Sequence, residues 1–205
     1  MKKLVLKTAF ITLGASIVLV FALFGILSLA APKVMMNFTD KLGLAGLSSD
    51  YAYEEYKRSG DLDCLTRSFL IAAERKQDDD ANERFEALRK DKGFEKYCAK
   101  ASGPDVDGVP AYDFRAYLFG QAARVKYRLA KTAAKKTAVI DFAIAATDDD
   151  FALGNPVISL AAEAARAKNH DFCGELARRL NEEERFERNA LFNNIVAQLE
   201  QLAEQ

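Results

Sequence analysis

The chain has 205 residues, 50% apolar and 29% charged, with 29 basic against 30 acidic side chains. That balance excludes a disordered polyelectrolyte and a histone-like basic protein, and three cysteines are too few for a disulfide-built miniprotein. One histidine and no tryptophan leave little of the usual raw material of catalysis.

The charge is unevenly spread. Lys2, Lys3 and Lys7 precede a charge-free run from Thr8 to Pro32, 25 residues rich in Leu, Val, Ile, Phe and Ala. As one helix it would measure about 37 Å, more than a hydrocarbon core of roughly 30 Å. Residues 1–32 therefore read as a transmembrane signal anchor. The competing reading is a cleavable secretory signal, with small residues at Ser28, Ala30 and Ala31. Such signals usually carry an apolar core of only about 7–15 residues, and Pro32 makes a poor cleavage neighbourhood. Basic flanks stay cytoplasmic, so the N-terminus is expected inside the cell and the remainder outside the cytoplasm. Within the run, Thr8, Thr12 and Ser16 share one helix face, a spacing that permits close contact with a second span.

Residues 33–50 form a juxtamembrane segment. Val34, Phe38 and Leu42 recur every four residues, with Met35 beside them. Two readings stand: a short helix lying on the headgroups, or a continuation of the span. Gly43 and Gly46 are expected to end it. Ser48, Ser49 and Asp50 offer N-cap chemistry for the next helix.

From Tyr51 onward alanine is abundant, Val and Ile are scarce, and apolar residues recur at three and four, which predicts an all-α fold. Gly60-Asp61 reads as a turn with Asp61 capping a helix. Asp80 with Glu83 has the spacing of a capping box, and Gly93 is placed to close that helix. Asn155-Pro156 marks a helix start, and Asn169 to Asp171 another. The turn-rich stretch 103–110 reads as a linker between a first half, 51–102, and a second, 111–205.

The halves look alike. Phe69-Leu70-Ile71-Ala72-Ala73 matches Phe142-Ala143-Ile144-Ala145-Ala146, each soon followed by three aspartates, Asp78 to Asp80 and Asp148 to Asp150. Phe94 to Cys98 has a counterpart in Phe172 and Cys173, and Tyr56 and Tyr127 precede each copy. Duplication and coincidence in an Ala-rich helical chain both account for this.

Tyr56, Gly60, Leu65, Phe69 and Ala72 have the spacing of the aromatic, glycine, small, aromatic and alanine positions of a tetratricopeptide unit. Leu65 stands where that family prefers alanine. Ala138, Phe142 and Ala145 keep the second-helix spacing in the other half, where Lys131 replaces the turn glycine. The chain thus resembles a degenerate TPR-like array over about a third of its non-anchor part. The resemblance implies about four stacked hairpins, closed by a capping helix over Leu191 to Leu202 with Leu191, Ile195, Leu199 and Leu202 on its apolar face.

The chemistry-bearing motifs are few. There is no phosphate-binding loop, nucleophile elbow, His-Glu-x-x-His or Cys-x-x-Cys. His170 and Cys173 share a helix face, which offers a nucleophile or half a metal site; the simpler reading is a packed thiol beside a capping or solvated histidine. A Cys64–Cys98 disulfide is a further option, which leaves Cys173 odd. The aspartate triplets lack the alternation of a calcium loop and suit helix N-termini.

Gln121, Arg124, Arg128 and Lys131 share one helix face, with Lys135 beyond, opposite Leu118, Ala122, Val125 and Leu129. That face is a solvated surface or a candidate grip for a peptide's carboxylates. Residues beyond 32 carry 26 basic and 30 acidic side chains, which disfavours nucleic acid. The expectation is a single-pass membrane protein displaying a helical-repeat interaction module, not an enzyme, with no cofactor, bound to the bilayer and to a protein or peptide. The alternative is a membrane-tethered enzyme or thiol/metal protein using His170 and the cysteines.

Overall fold

A computed structural model of the chain describes residues 16, 18–20, 22–103, 113–147, 155–187 and 189–205. Thr8, Thr12, residues 104–110 of the linker and Asp148 to Asp150 lie outside the described residues. Those described are predominantly helical, and no strand occurs among them. The chain forms two compact units, Met1–Ile71 and Ala72–Gln205. One helix, Leu62–Glu74, runs across this division, and the helices just before 103–110 pack on the one just after it.

The first unit holds α1 (Val18–Ala30), α2 (Pro32–Lys41), α3 (Ala45–Ser59) and the start of α4 (Leu62–Glu74). A residue before proline is pushed out of the helical region. Ala31 takes φ −144° and ψ 62°, and α2 leaves α1 at a bend of 119°. Of the two readings for this segment, α2 therefore does not continue α1 as one straight helix. Among the described residues no single helix is long and apolar enough to cross a membrane; α1 and α2 together meet that test only as a bent pair.

Gly43 ends α2 with φ +70°, a backbone that favours glycine. Gly46 already lies within α3. Ser48 and Ser49 are not caps: α3 begins at Ala45, so both serines face inward and are fully buried. Their hydroxyls must then find partners inside. Ser48 Oγ donates to Asp40 Oδ1 at 3.0 Å, and Ser49 Oγ donates to the Ser68 carbonyl at 2.9 Å. Ser68 Oγ returns the bond to the Ser49 carbonyl at 2.8 Å. This reciprocal pair locks α3 to α4 where two small side chains let the backbones meet. Gly60 closes α3 with φ +71°, and Asp61 Oδ1 accepts from Asp63 N at 3.0 Å, as the turn reading requires. Phe69 and Leu65 of α4 are fully buried.

The second unit holds α5 (Asp78–Lys90), α6 (Phe94–Ala101), α7 (Phe114–Leu129), α8 (Ala133–Ala145), α9 (Pro156–Arg166), α10 (His170–Asn181), a short 3-10 turn (Glu184–Phe186) and α11 (Ala190–Ala203). α7 is the hub, packed by α5, α6, α8 and α9, and α11 lies on α10. Two boundary expectations shift. α5 starts at Asp78, two residues before the proposed capping box, with all three aspartates in its first turn where carboxylates favour the helix dipole. Gly93 precedes α6 instead of closing α5.

Asn155 caps α9 as expected, accepting from Val157 N at 2.8 Å, and a buried Thr147 hydroxyl donates to the same oxygen at 3.0 Å. Asn169 caps α10 by accepting from Phe172 N. The core is aromatic at one end, where Phe119 stacks on Phe142 (5.7 Å between centroids) and meets Phe85 edge-on at 5.1 Å. At the other, Phe186 stacks on Phe192. The capping helix buries Phe192, Val196 and Leu199, with Ile195 and Leu202 beside them, while Leu191 points outward at 44% exposure. Its apolar face is thus rotated by about one residue from the expected one.

Candidate functional site

The expected basic face is part of an ion-pair network on α7. Arg128 reaches Asp78 of α5 with Nε (2.8 Å to Oδ1) and Nη2 (2.6 Å to Oδ1), and Nη2 also donates to the Ala73 carbonyl at 3.1 Å. Its Nη1 lies 3.4 Å from Glu163 Oε1 on α9. Arg124 donates from Nε to the other Glu163 oxygen at 3.0 Å and from Nη1 to Gln121 Oε1 at 3.2 Å. Between these two arginines in the chain, and about half a turn from each, Lys126 donates to Glu86 Oε1 at 2.8 Å and Asn82 Oδ1 at 3.1 Å, over the Phe142 ring at 5.1 Å. Three cations thus meet the carboxylates of Asp78, Glu86 and Glu163, tying α5, α7 and α9 together.

The electrostatics agree with the geometry. Burial pushes the Glu163 carboxyl up, but hydrogen bonds and charge from Arg124 and Arg128 more than reverse this and hold it below the ordinary glutamate value. Glu86 is held low by Lys126 and Arg89 against the same penalty. Burial opposes the Arg128 charge, and Asp78 and Glu163 outweigh it, so its pKa lies above the usual guanidinium value.

Of the four expected face residues, Gln121, Arg124 and Arg128 are drawn into this network. Lys131 is exposed, its ammonium donating to the Arg128 carbonyl at 3.0 Å. Opposite them, Leu118, Ala122 and Val125 are buried, whereas Leu129 is only half-buried. Helix periodicity finds such a face but not its partners. The readable signals were Glu163, a lone acid in the apolar run Val157 to Ala165, and Asp78 at a helix start.

Beside the network lies a groove of about 400 Å³ lined by Asn82, Lys126, Leu129, Ala130, Lys135 and Phe142 among others. Its lining combines apolar side chains with two lysines, and its volume is within the size range of small ligand pockets, about 300–1,000 Å³.

The cysteines are all free and buried, so the Cys64–Cys98 disulfide is not formed. Burial pushes the Cys98 thiol up to about 12 and, with Asp61 nearby, Cys64 up to about 11. Cys173 is raised by burial alone and lies in the core with Phe172 and Leu176. His170 Nδ1 faces the Leu202 carbonyl. A carbonyl only accepts, so Nδ1 carries the proton, and the imidazole pins α10 to the end of α11. Among the described residues no three His, Cys, Asp or Glu side chains gather in a metal-holding group.

No family model matches the chain, and no curated protein or solved structure shows significant similarity to it.

Proposed function

We propose that the chain is a single-pass membrane protein, anchored through residues 1–32, whose TPR-like helical body serves as a protein-interaction or scaffolding module on the extracytoplasmic side. One observation carries the membrane part. Among the described residues, thirteen of the fourteen exposed large apolar side chains fall between Val18 and Leu47, and the other is Leu191. Scattered exposed apolar residues are ordinary, but one contiguous run of them marks an interaction site or a lipid contact.

The scaffold part rests on the order of helices. α3 and α4 meet at a tight glycine turn, with Tyr56 and Phe69 on them, and α7 and α8 repeat the order with Tyr127 and Phe142. In chain order α5 and α6, with Cys98, follow the first pair as α9 and α10, with Cys173, follow the second. Arg124 and Arg128 are engaged internally, so the partner is read onto Lys131 and the groove edged by Lys135. That surface suits an apolar side chain next to a carboxylate.

Site-specific photocrosslinking tests it: a crosslinker at Lys135 of the full-length protein in its native membrane captures one defined protein, whereas a crosslinker at Arg166 does not. Equal, diffuse labelling from both positions refutes the partner reading. The alternative, thiol or metal chemistry at His170 and Cys173, is disfavoured because a buried thiol with a raised pKa is a poor nucleophile.

A further inference from the structure

We propose that α2 is an interfacial helix, seated in the headgroup zone of the bilayer so that the first unit stands on the membrane surface as a fixed base. This deepens the membrane reading above and rests on it.

α2 has three faces. Met35, Met36 and Thr39 are buried against the unit. Val34, Phe38 and Leu42 form a stripe with exposures of 56%, 49% and 57%. Lys33, Asn37, Asp40 and Lys41 make the third face, all exposed. A helix serving only the unit's own core needs one apolar face, so the second is open to another apolar medium. Leu44 and Leu47, just past the turn, are also exposed, at 45% and 44%.

The occupant follows from chain continuity. The stripe begins four residues after α1, whose own apolar side chains are exposed almost throughout. The bend of 119° carries α2 past the perpendicular. With α1 along the membrane normal, α2 runs along the surface and its far end returns toward the lipid. The bend is held in place. Tyr51 and Ser28 share a hydroxyl hydrogen bond at 2.7 Å, and Arg58 donates to the Ala30 carbonyl at 2.8 Å. The clamp stands at the end of α1, and Lys33 and Lys41 flank the stripe with stems long enough to reach headgroups. Interfacial helices bury their apolar face about 5–10 Å into the acyl boundary.

The chain contains no tryptophan, so one introduced indole is an unambiguous depth reporter. Full-length Phe38→Trp, Asn37→Trp and Leu23→Trp variants are reconstituted in phosphatidylcholine/phosphatidylglycerol vesicles carrying lipids brominated at shallow or deep chain positions. The expected result is deep quenching for Leu23→Trp and a blue-shifted emission for Phe38→Trp quenched best by the shallow bromines. Asn37→Trp is expected to be quenched by aqueous acrylamide instead. Deep quenching at 23 with a water-like Phe38→Trp overturns the interfacial seat while leaving the span intact. A blue-shifted Phe38→Trp that no brominated lipid quenches also overturns it, because a protein then covers the stripe. No lipid quenching at 23 removes the membrane reading itself, and this inference with it.

Discussion

Replacing Arg128 by alanine separates the two roles a basic helix face can have. Its side chain is 15% exposed, that of Asp78 19% and that of Glu163 13%, so neither carboxylate recovers full hydration once the cation is gone. Breaking a fully buried pair costs about 3–5 kcal/mol. Partial exposure and the retained Arg124–Glu163 bond reduce this, to about 2–3 kcal/mol. For a chain of this size that lowers the melting temperature by roughly 4–12 °C. Asp78→Ala removes the same contact from the other side. The double variant therefore loses less than the sum of the two, with a coupling of about 1–2 kcal/mol. Circular dichroism melts and urea titrations of the full chain in detergent measure all four corners of the cycle. A coupling under about 0.5 kcal/mol, within the additivity of independent sites, refutes the structural assignment and returns Arg128 to a ligand-binding role.

Gly60→Ala forces a Cβ into a φ of +71°, so the same melts should show a loss of about 1 kcal/mol, and an unchanged stability contradicts the left-handed cap. Glu86 and Glu163 have folded pKa values below the reference 4.5. Their contribution is complete above that value and is lost as pH falls through the folded values. Urea midpoints should therefore be level from pH 7 to about 5 and drop below about 4.5, with a shallower drop in Glu163→Gln; a midpoint that rises on acidification contradicts the pairing. The three thiols should react slowly with a disulfide reagent at pH 8 in the native protein and all at once in denaturant, since Cys64 and Cys98 stand at about 11 and 12. Fast labelling of Cys173 in the native state revives the nucleophile reading.

Much of the fold was legible because its signals are local. Asn155-Pro156, Asn169 and Gly60-Asp61 act within one turn, and each ends or starts a helix where the residue chemistry says it should. The misreadings came where tertiary contacts outweigh a local preference. Ser48 and Ser49 have the chemistry of caps, yet Asp40 and Ser68 recruit their hydroxyls into a helix interior. Leu191 shares the heptad face of Ile195 and Leu202, but the stack of Phe186 on Phe192 turns α11 so that Leu191 faces outward. Of the candidate site, spacing located the basic face. The carboxylates that occupy it lie 35 to 50 residues away in the chain, beyond the reach of any periodicity. The bend at Ala31 was half legible: Pro32 announces a break but not its angle.

Protease accessibility of the full-length protein in sealed cells, with an epitope at the C-terminus, is the decisive measurement of the anchored topology. External protease is expected to remove the epitope while a membrane-embedded N-terminal fragment survives and resists carbonate extraction. An epitope that stays protected until the membrane is dissolved, or a chain that carbonate releases without detergent, contradicts it.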